Sequence, residues 1–169
     1  MKLIIGLGNT GEQYAGTRHN AGIMLVDLLA QKLTSDYGWR KHFNALIYKT
    51  PRIVLVKSKD VFMNESGRLL QALPEGELYV AHDDLDLKLG EYKIQKGVGP
   101  KLHYGVQAIE GTAGDKDFWR IRIGIDNRTT PIEGETYVLQ KFTPGEKVIL
   151  ENTLDAIIKT INTSQKPSR

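Results

Sequence analysis

Two segments of the chain carry side chains that could perform acid–base chemistry. His19 follows a glycine-rich turn after the first apolar run, and the acidic residues of 82–86 follow a second apolar run, 78–81. A histidine held by a carboxylate can take a proton from water near neutral pH, because a free imidazole has a pKa of about 6.5. The chain has no cysteine, no serine in a nucleophile-elbow setting and no HExxH pair. These residues favour activated water over a covalent intermediate.

Three amide side chains accompany these segments. Asn9, Asn20 and Asn64 could hold a substrate carbonyl or orient a water molecule, because amides form hydrogen bonds without titrating. Plainer alternatives remain for each position. Asn20 precedes a helical pattern and is placed to cap it, Asn64 could cap a second helix, and His19 could be an ordinary polar loop residue.

The first turn also matches a different site. Gly6-x-Gly8-x-x-Gly11 satisfies the dinucleotide-binding fingerprint and follows a predicted strand. That fingerprint requires a helix that begins at the third glycine and an acidic residue at the end of the next strand. Here the helical pattern begins only near Ala21, and Asp27 would lie within that helix. The context therefore argues against a nicotinamide or flavin enzyme.

The acidic cluster has two further interpretations. Asp83, Asp84 and Asp86 could bind calcium or magnesium, or could form a solvated acidic loop. The EF-hand pattern needs a glycine and a later glutamate at fixed positions, and this segment has neither. The solvated loop is the plainer alternative to a catalytic role.

Strands and helices alternate along the chain. Short apolar or alternating runs predict strands, and apolar stripes at helical spacing predict helices. We expect a single α/β domain, with a twisted mixed β-sheet flanked by helices on both faces. The predicted strands are 2–5, 46–48, 53–56, 78–81, 91–95 and 118–125, and the predicted helices are 21–34, 68–73, 103–110 and one that begins near 143.

Local patterns add detail to three of these elements. The runs 46–48 and 53–56 are joined around Pro51, which predicts a hairpin. In 118–125, isoleucines alternate with arginines, which places them on opposite faces of the strand. The last helix opens with Thr143-Pro144-Gly145-Glu146, the pattern of a capping box with proline in the first turn.

Length and composition limit the class of protein. The 169 residues, 40% hydrophobic and 25% charged, predict one domain over 1–161 and a disordered tail over 162–169. No apolar run approaches the roughly 20 residues that span a bilayer, so we expect no membrane association. The absence of cysteine suits the cytoplasm. A net charge of +3 mildly favours an anionic partner.

Several separated motifs, in one order, resemble bacterial-type peptidyl-tRNA hydrolase. The resemblance covers the chain from Lys2 to about Leu139. The motifs that carry it are Gly6-Leu7-Gly8-Asn9-Thr10-Gly11, Tyr14, Thr17-Arg18-His19-Asn20-Ala21-Gly22, Phe62-Met63-Asn64-Glu65-Ser66-Gly67, His82-Asp83-Asp84-Leu85-Asp86-Leu87 with Gly90, and Phe118-Trp119-Arg120-Ile121-Arg122-Ile123-Gly124-Ile125.

The resemblance implies an esterase that releases the peptide from peptidyl-tRNA and so recycles tRNA from stalled translation. It implies no metal and no organic cofactor. By motif position, His19 is the catalytic histidine and Asp83 its partner. Asn9 and Asn64 are the asparagines that position substrate, and Tyr14 flanks the cleft.

The chain departs from the family pattern at three points. Thr10 replaces the usual proline of the first motif. The family's Gly-Gly-His-Asn-Gly segment reads Lys101-Leu102-His103-Tyr104-Gly105, which keeps the histidine but replaces the asparagine with Tyr104. We expect His103 and Tyr104 to contact substrate, with the Tyr104 ring able to stack on the terminal adenine of the tRNA. The chain is also shorter than usual near its C-terminus.

The expected partner is peptidyl-tRNA, through its acceptor stem and CCA end, and the expected state is a monomer. Basic residues near the motifs are candidates for phosphate contacts. Two alternatives remain: a non-catalytic RNA-binding relative of the same fold, which Tyr104 would favour, and an esterase for small N-acyl esters, which would leave the basic residues unexplained. The candidate basic residues are Lys93, Lys96, Lys101, Arg120 and Arg122.

Overall fold

The computed structural model describes residues 1–163, which form a seven-stranded mixed sheet. The strand order is β2-β3-β4-β1-β5-β7-β6, and the four central strands β4, β1, β5 and β7 are parallel. At the edges, β3 is antiparallel to β4, β2 to β3, and β6 to β7. The strands are β1 Lys2–Gly6, β2 Trp39–His42, β3 Ala45–Lys49, β4 Ile53–Ser58, β5 Glu77–Lys88, β6 Tyr92–Lys96 and β7 Trp119–Asp126.

Helices cover both faces of this sheet, which confirms the predicted α/β architecture. Side chains of α1, α3 and α4 pack in the hydrophobic core on one face. A long 3-10 helix and α2 pack in the core on the other face. The helices are α1 Ala21–Lys32, α2 Tyr104–Ala113, α3 Gly134–Val138 and α4 Pro144–Thr163, and the 3-10 helices are Glu12–Tyr14, Arg18–Asn20 and Met63–Ala72.

The structure corrects four expectations about the elements. The predicted helix 68–73 is part of the 3-10 helix Met63–Ala72, whose Gly67 packs so closely on α2 that a Cβ would meet the Thr112 hydroxyl. Strand β5 continues through the acidic residues, which were expected in a loop after the strand. Strand β2 and helix α3 were not predicted, because β2 is mostly polar and α3 has only five residues.

The helix caps give one confirmation and one correction. At α4, Glu146 N–H donates to the Thr143 hydroxyl (3.2 Å) and Thr143 N–H donates to the Glu146 carboxylate (3.0 Å), as the capping box predicts. The side chain of Asn20 makes no cap on α1 and is used elsewhere. Helix α4 includes residues 162 and 163, which were expected in the tail; the rest of that predicted tail, 164–169, lies outside the described residues. In 1–163, none of the helices is long and apolar enough to cross a lipid bilayer.

Candidate active site

The two segments expected to carry the chemistry meet at the C-terminal end of the parallel strands. Gly6 ends β1 and pairs with Ala81 of β5, so β5 continues beyond β1 and carries Asp83 past the end of its neighbour. The chain leaving β1 returns to this edge in the 3-10 turn Arg18–Asn20, which runs directly into α1. Ligand sites in open α/β sheets lie at this edge, outside the carboxyl ends of the strands.

His19 and Asp83 are in direct contact there. His19 Nδ1 lies 2.9 Å and 3.0 Å from the two carboxylate oxygens of Asp83. Because a carboxylate only accepts, Nδ1 carries the proton and Nε2 holds the lone pair. Nε2 has no hydrogen-bond partner among the described residues, and the His19 side chain is 16% exposed. The imidazole is therefore held in the tautomer that can take a proton from water.

The electrostatics of this pair follow from burial and charge. Burial by itself would lower the pKa of His19, but the charge and hydrogen bonds of Asp83 outweigh it and raise that pKa above its ordinary value. Burial would raise the pKa of the Asp83 carboxyl, but His19 and His103 attract its charge and bond to it, which holds the pKa well below its usual range. Asp83 thus remains a carboxylate throughout the neutral range.

His103 is the second partner of Asp83. Its Nε2 lies 2.8 Å from Asp83 Oδ1, and its Nδ1 accepts a hydrogen bond from the Val106 N–H at 3.3 Å, where His103 caps α2. Nδ1 therefore lacks a proton, and Nε2 carries one and donates it to the carboxylate. His103 is buried and uses both ring nitrogens. It was expected to contact substrate; the structure instead places it behind Asp83 as a support for the carboxylate.

His82 lies within the same cluster but faces the interior. It is fully buried, its Nδ1 donates to the Asp83 backbone carbonyl at 2.8 Å, and its Nε2 is buried with no partner in the described part of the chain. Its ring packs edge-on against that of His103, 5.1 Å between centroids. Burial and the nearby His103 lower the pKa of His82 to about 4, so it stays neutral at physiological pH.

Asn9 is fixed beside this group by three hydrogen bonds. The Asn20 side chain accepts from Asn9 N–H (2.8 Å) and donates to the Asn9 carbonyl (3.0 Å). Asn9 Oδ1 in turn accepts from the Met63 N–H (2.8 Å). This bond determines which end of the amide is which, so Asn9 Nδ2 remains as a donor without a partner among residues 1–163. Gly8 permits the packing, since a Cβ there would lie 2.7 Å from Asn20 Oδ1.

The other predicted contacts line the surface next to Asn9. Asn64 follows Met63 directly, is exposed, and belongs to the 3-10 helix rather than capping it. Tyr14 is half-buried and packs edge-on against the half-exposed Phe62, 6.4 Å between ring centroids. Asn9, Asn64 and Tyr14 thus all lie near the start of the 3-10 helix Met63–Ala72.

Arg18 anchors the turn that carries His19, a contact that sequence reasoning missed. Its buried guanidinium donates to Glu146 (2.8 Å) and to the Tyr137 carbonyl (3.2 Å), and it stacks 3.9 Å from the Tyr137 ring centroid. Its backbone N–H donates to the Gln140 carbonyl. The helix after β7 and the start of α4 therefore hold the turn in place. The pairing of a motif arginine with a capping glutamate leaves no local pattern in the sequence.

The arginines of β7 require a correction. Arg120 is 1% exposed; it pairs with Glu110 of α2 (2.5 Å) and stacks on the Phe118 ring. Arg122 is 8% exposed and donates to Asp84 at 2.7 Å and to Gln95 at 2.8 Å. The alternation with isoleucine is as predicted, but neither arginine faces solvent: Arg120 pairs with α2, and Arg122 is enclosed by Asp84 and Gln95. Their guanidinium groups are already paired and do not present themselves to phosphates.

Three lysines and Tyr104 do lie on the surface. Lys93 is exposed on the edge strand β6, and Lys96 there pairs with Asp117 at 3.0 Å. The Lys101 side chain is 89% exposed, with Nζ 4.0 Å from Asp86. Tyr104 is 52% exposed and begins α2 directly after His103. Tyr104 is therefore exposed directly beside His103, a hydrogen-bond partner of Asp83.

The same cluster contains the atoms of a possible metal site. The ligand atoms of His19, Asp83 and His103 lie within 4.8 Å of one another. Two histidines and a carboxylate suit several transition metals. However, Val106 N–H occupies His103 Nδ1, so His103 Nε2 must keep its proton and offers no lone pair unless that bond breaks. The hydrogen bonds fit a histidine–aspartate–histidine arrangement better than a metal centre.

Comparison with known proteins shows the family to which the chain belongs. The family model described as peptidyl-tRNA hydrolase matches residues 3–167. The chain belongs to the peptidyl-tRNA hydrolase family. The match includes every motif from which the resemblance was inferred, and it extends through α4 beyond Leu139, where the motif-based resemblance ended.

Individual relatives agree over most of the length. The chain is 38% identical to the peptidyl-tRNA hydrolase of Desulfitobacterium hafniense (strain Y51) over 171 residues, which covers 95% of this chain and 91% of that protein. It is 41% identical to that of Lactiplantibacillus plantarum, covering 86% and 83%. A crystal structure of peptidyl-tRNA hydrolase from Acinetobacter baumannii matches with a TM-score of 0.79 and 30% identity, covering 96% and 87%. The predicted family and α/β fold are confirmed.

Proposed function

We propose that the chain hydrolyses the ester bond between peptide and tRNA, with His19 as general base and Asp83 as the carboxylate that orients it. The observation that carries the proposal is the His19 contact: Nδ1 bonded to Asp83, and Nε2 unpartnered and partly exposed. Membership of the peptidyl-tRNA hydrolase family supports the substrate class.

The chemistry follows from the hydrogen bonds. His19 Nε2 takes a proton from water while Nδ1–H donates to Asp83, whose negative charge stabilises the imidazolium that forms. The water oxygen attacks the ester carbonyl carbon, and an oxyanion develops. Asn9 Nδ2 is the donor available to stabilise it. The bond to the ribose oxygen then breaks, and the imidazolium returns its proton to that leaving oxygen.

The histidine–aspartate pair and one activated water are sufficient because the bond to be broken is an ester. An alkoxide protonated as it leaves is far easier to expel than an amine, so activated water can act without a covalent intermediate. His103 donates its Nε2–H to Asp83 and limits the orientations of the carboxylate. In this proposal His103 and Arg18 position the catalytic pair, and neither touches the reacting atoms.

The proposed partner is the acceptor stem and CCA end of peptidyl-tRNA. Lys93, Lys96 and Lys101 remain as candidates for phosphate contacts, since Arg120 and Arg122 are buried and paired. Tyr104 and Asn64 are exposed near the cluster and would contact the CCA end and the peptide. We propose a monomer, because the catalytic cluster is complete within one chain, and a cytoplasmic location, which suits a chain without cysteine.

The non-catalytic alternative is not favoured. Such a relative has no need of a buried carboxylate with two histidine partners or of an aligned amide, and this chain retains both. Tyr104 was the reason for considering that alternative, and it lies outside these contacts.

Turnover of an N-blocked aminoacyl-tRNA by wild type and His19→Ala tests the proposal. A positioned base contributes about 10²–10⁴-fold, so His19→Ala should lose that much kcat while binding to uncleaved tRNA is retained. Undiminished turnover in His19→Ala would contradict the assignment.

The salt dependence of KM provides a second measurement. KM should rise steeply with ionic strength if lysines contact phosphates, whereas a flat dependence would favour a small ester as substrate.

A further inference from the structure

A groove of about 570 Å³ lies at the β2 edge of the sheet, on the face that also carries α2. We call it the β2 groove. Its floor is apolar and is formed by Ile47, Val54 and the end of the 3-10 helix at Ala72. Its walls come from the β2–β3 hairpin on one side and from 71–74 on the other. The remaining lining residues are Ser35, Tyr37, Gly38, Arg40, Lys41, His42, Lys49, Gln71, Leu73 and Pro74.

The polar part of this lining is cationic. Arg40, Lys41 and Lys49 are all exposed, and His42 adds a titratable ring. Register places Arg40 opposite Ile47, so its side chain shares the face of the apolar floor. Of the residues that the structure describes, none with a carboxylate lines the groove. The charge is therefore uncompensated within the groove and complements an anionic chain.

Exposed aromatic rings accompany these charges. Tyr37 is 68% exposed, and the Arg40 guanidinium lies 4.2 Å from its ring centroid. Phe43 is 67% exposed at the turn of the hairpin, with its ring 4.5 Å from that of His42. These large rings are left in solvent although both could bury apolar area. Bases of a single strand stack on such rings while cations track the phosphates.

We propose that the β2 groove binds single-stranded RNA, with Arg40 and Lys49 contacting phosphates and Tyr37 stacking on a base. A peptide strand added to the edge of β2 would use backbone groups and would need neither the cations nor the ring. A double helix buries its bases, so it would leave Tyr37 unused. Unpaired RNA employs the charges, the ring and the apolar floor together.

The β2 groove is separate from the catalytic cluster. The 3-10 helix that begins at Met63, beside Asn9, ends at Ala72 in the groove floor, and ten residues of 3-10 helix span about 20 Å. It also lies at the opposite edge of the sheet from β6, which carries Lys93. The RNA bound here is therefore a segment other than the CCA end: an unpaired loop of the same tRNA or a part of another RNA.

The test measures RNA binding without turnover. Fluorescence anisotropy of a labelled 12-nucleotide oligouridylate, which lacks a CCA end, gives Kd at several salt concentrations. Arg40→Gln/Lys49→Gln should weaken binding about tenfold or more at low salt and should reduce the slope of log K against log salt by about 1.4, two single-strand phosphate contacts. Tyr37→Ser should weaken binding about fivefold or more. Lys147→Gln/Lys159→Gln, two exposed lysines of α4, removes the same charge and should change Kd less than twofold.

Equal Kd values for the groove and control variants would overturn the proposal. So would displacement of the RNA by polyglutamate at equal charge concentration, which would indicate an acidic protein as partner. Hydrolysis of a blocked aminoacyl minihelix ending in CCA should be unchanged in the groove variants, so failure of the catalytic proposal is seen separately. Two results would support the proposal and distinguish the source of the RNA. If the groove variants have a raised KM only for full-length peptidyl-tRNA, the groove binds a loop of the substrate. If their KM is unchanged, the groove binds another RNA.

Discussion

His19 and His103 bind the same carboxylate from two regions of the molecule, but the hydrogen bonding of their ring nitrogens differs. The His19 turn leaves β1 and is clamped by Arg18, and its imidazole keeps Nε2 without a partner. His103 begins α2, and both of its ring nitrogens are used, one by Asp83 and one by Val106 N–H. The two rings are only 5.2 Å apart between centroids.

This difference shows that residue type alone does not reveal which histidine can act as a general base. Both histidines are bonded to an aspartate, so either would satisfy a search for a histidine–carboxylate pair. The lone pair on His103 Nδ1 accepts the hydrogen bond that caps α2, whereas the lone pair on His19 Nε2 accepts no hydrogen bond from residues 1–163. Only the histidine with an accessible lone pair can act as a base. Hydrogen-bond satisfaction, more than proximity to Asp83, therefore distinguishes the proposed base from the histidine that supports Asp83.

The largest expected effect comes from exchanging each histidine for an uncharged amide. His19→Gln should lower kcat by about 10²–10⁴-fold, because the base is removed. His103→Gln should lower kcat by about tenfold, because Asp83 loses one donor but keeps His19. Steady-state turnover of an N-blocked aminoacyl-tRNA measures both. Equal losses in the two variants would break the comparison and would place His103 in the chemistry.

Asp83→Asn should have the next largest effect, a loss of about 10–100-fold in kcat, because the base remains but its tautomer is no longer enforced. The raised pKa of His19 depends on the Asp83 charge, and burial alone lowers it. Since the base must be neutral, kcat/KM should rise with pH to a midpoint above 6.5 in wild type. That midpoint should shift to lower pH in the variant. A midpoint that stays in place would mean that another group controls the profile.

The third effect is on stability and concerns His82. Its pKa is about 4 in the folded protein and 6.5 when unfolded. Between these values the unfolded chain binds more protons, so the free energy of unfolding falls as pH falls from 6.5 to 4, by up to about 1.4 kcal/mol per pH unit. The raised pKa of His19 acts in the opposite sense, contributing stability below 6.5 that is lost as pH rises through that pKa.

Urea unfolding at pH 7, 6, 5 and 4 measures this contribution. His82→Asn, which can still donate to the Asp83 carbonyl, should show a shallower loss of stability over pH 6.5–4 than wild type. Identical pH dependence in the two proteins would exclude His82 as its source. The stability that comes from the lowered pKa of Asp83 is fully present above its ordinary value of 3.8 and is lost only as the pH falls below that value, so the two groups are separable by pH.

A separate effect, on substrate binding, is expected at Tyr104, at the outer end of the His103 region. If its ring stacks on the terminal adenine, Tyr104→Ala should raise KM by the loss of about 1–3 kcal/mol of stacking. Tyr104→Asn, which restores the amide of the family pattern, should preserve or raise kcat. Kinetic constants for both variants decide the matter: if neither differs from wild type, the ring packs away from the bound tRNA.

The sequence by itself determined the family and the alternation of strands and helices, and it predicted His19 and Asp83 as the catalytic pair. Apolar runs such as 2–5 and the capping box at Thr143 are local patterns, which can be recognised in the sequence without knowledge of the fold. The order of the motifs predicted His19 and Asp83 through the resemblance to the family, and the parallel pairing of β1 with β5 brings the two segments to one edge of the sheet.

Only the tertiary structure decided which polar groups have hydrogen-bond or ion-pair partners within the protein and which do not. Arg120 and Arg122 alternate with isoleucine as an exposed face would, yet α2 and Asp84 enclose them. The motif around His103 predicts a substrate contact, because nothing in the neighbouring sequence reveals that its partners are Asp83 and its own helix. Burial and hydrogen-bond partners are set by contacts between residues far apart in the chain. A one-dimensional pattern contains the residue types but not these contacts, and it is the contacts that leave His19 Nε2 available.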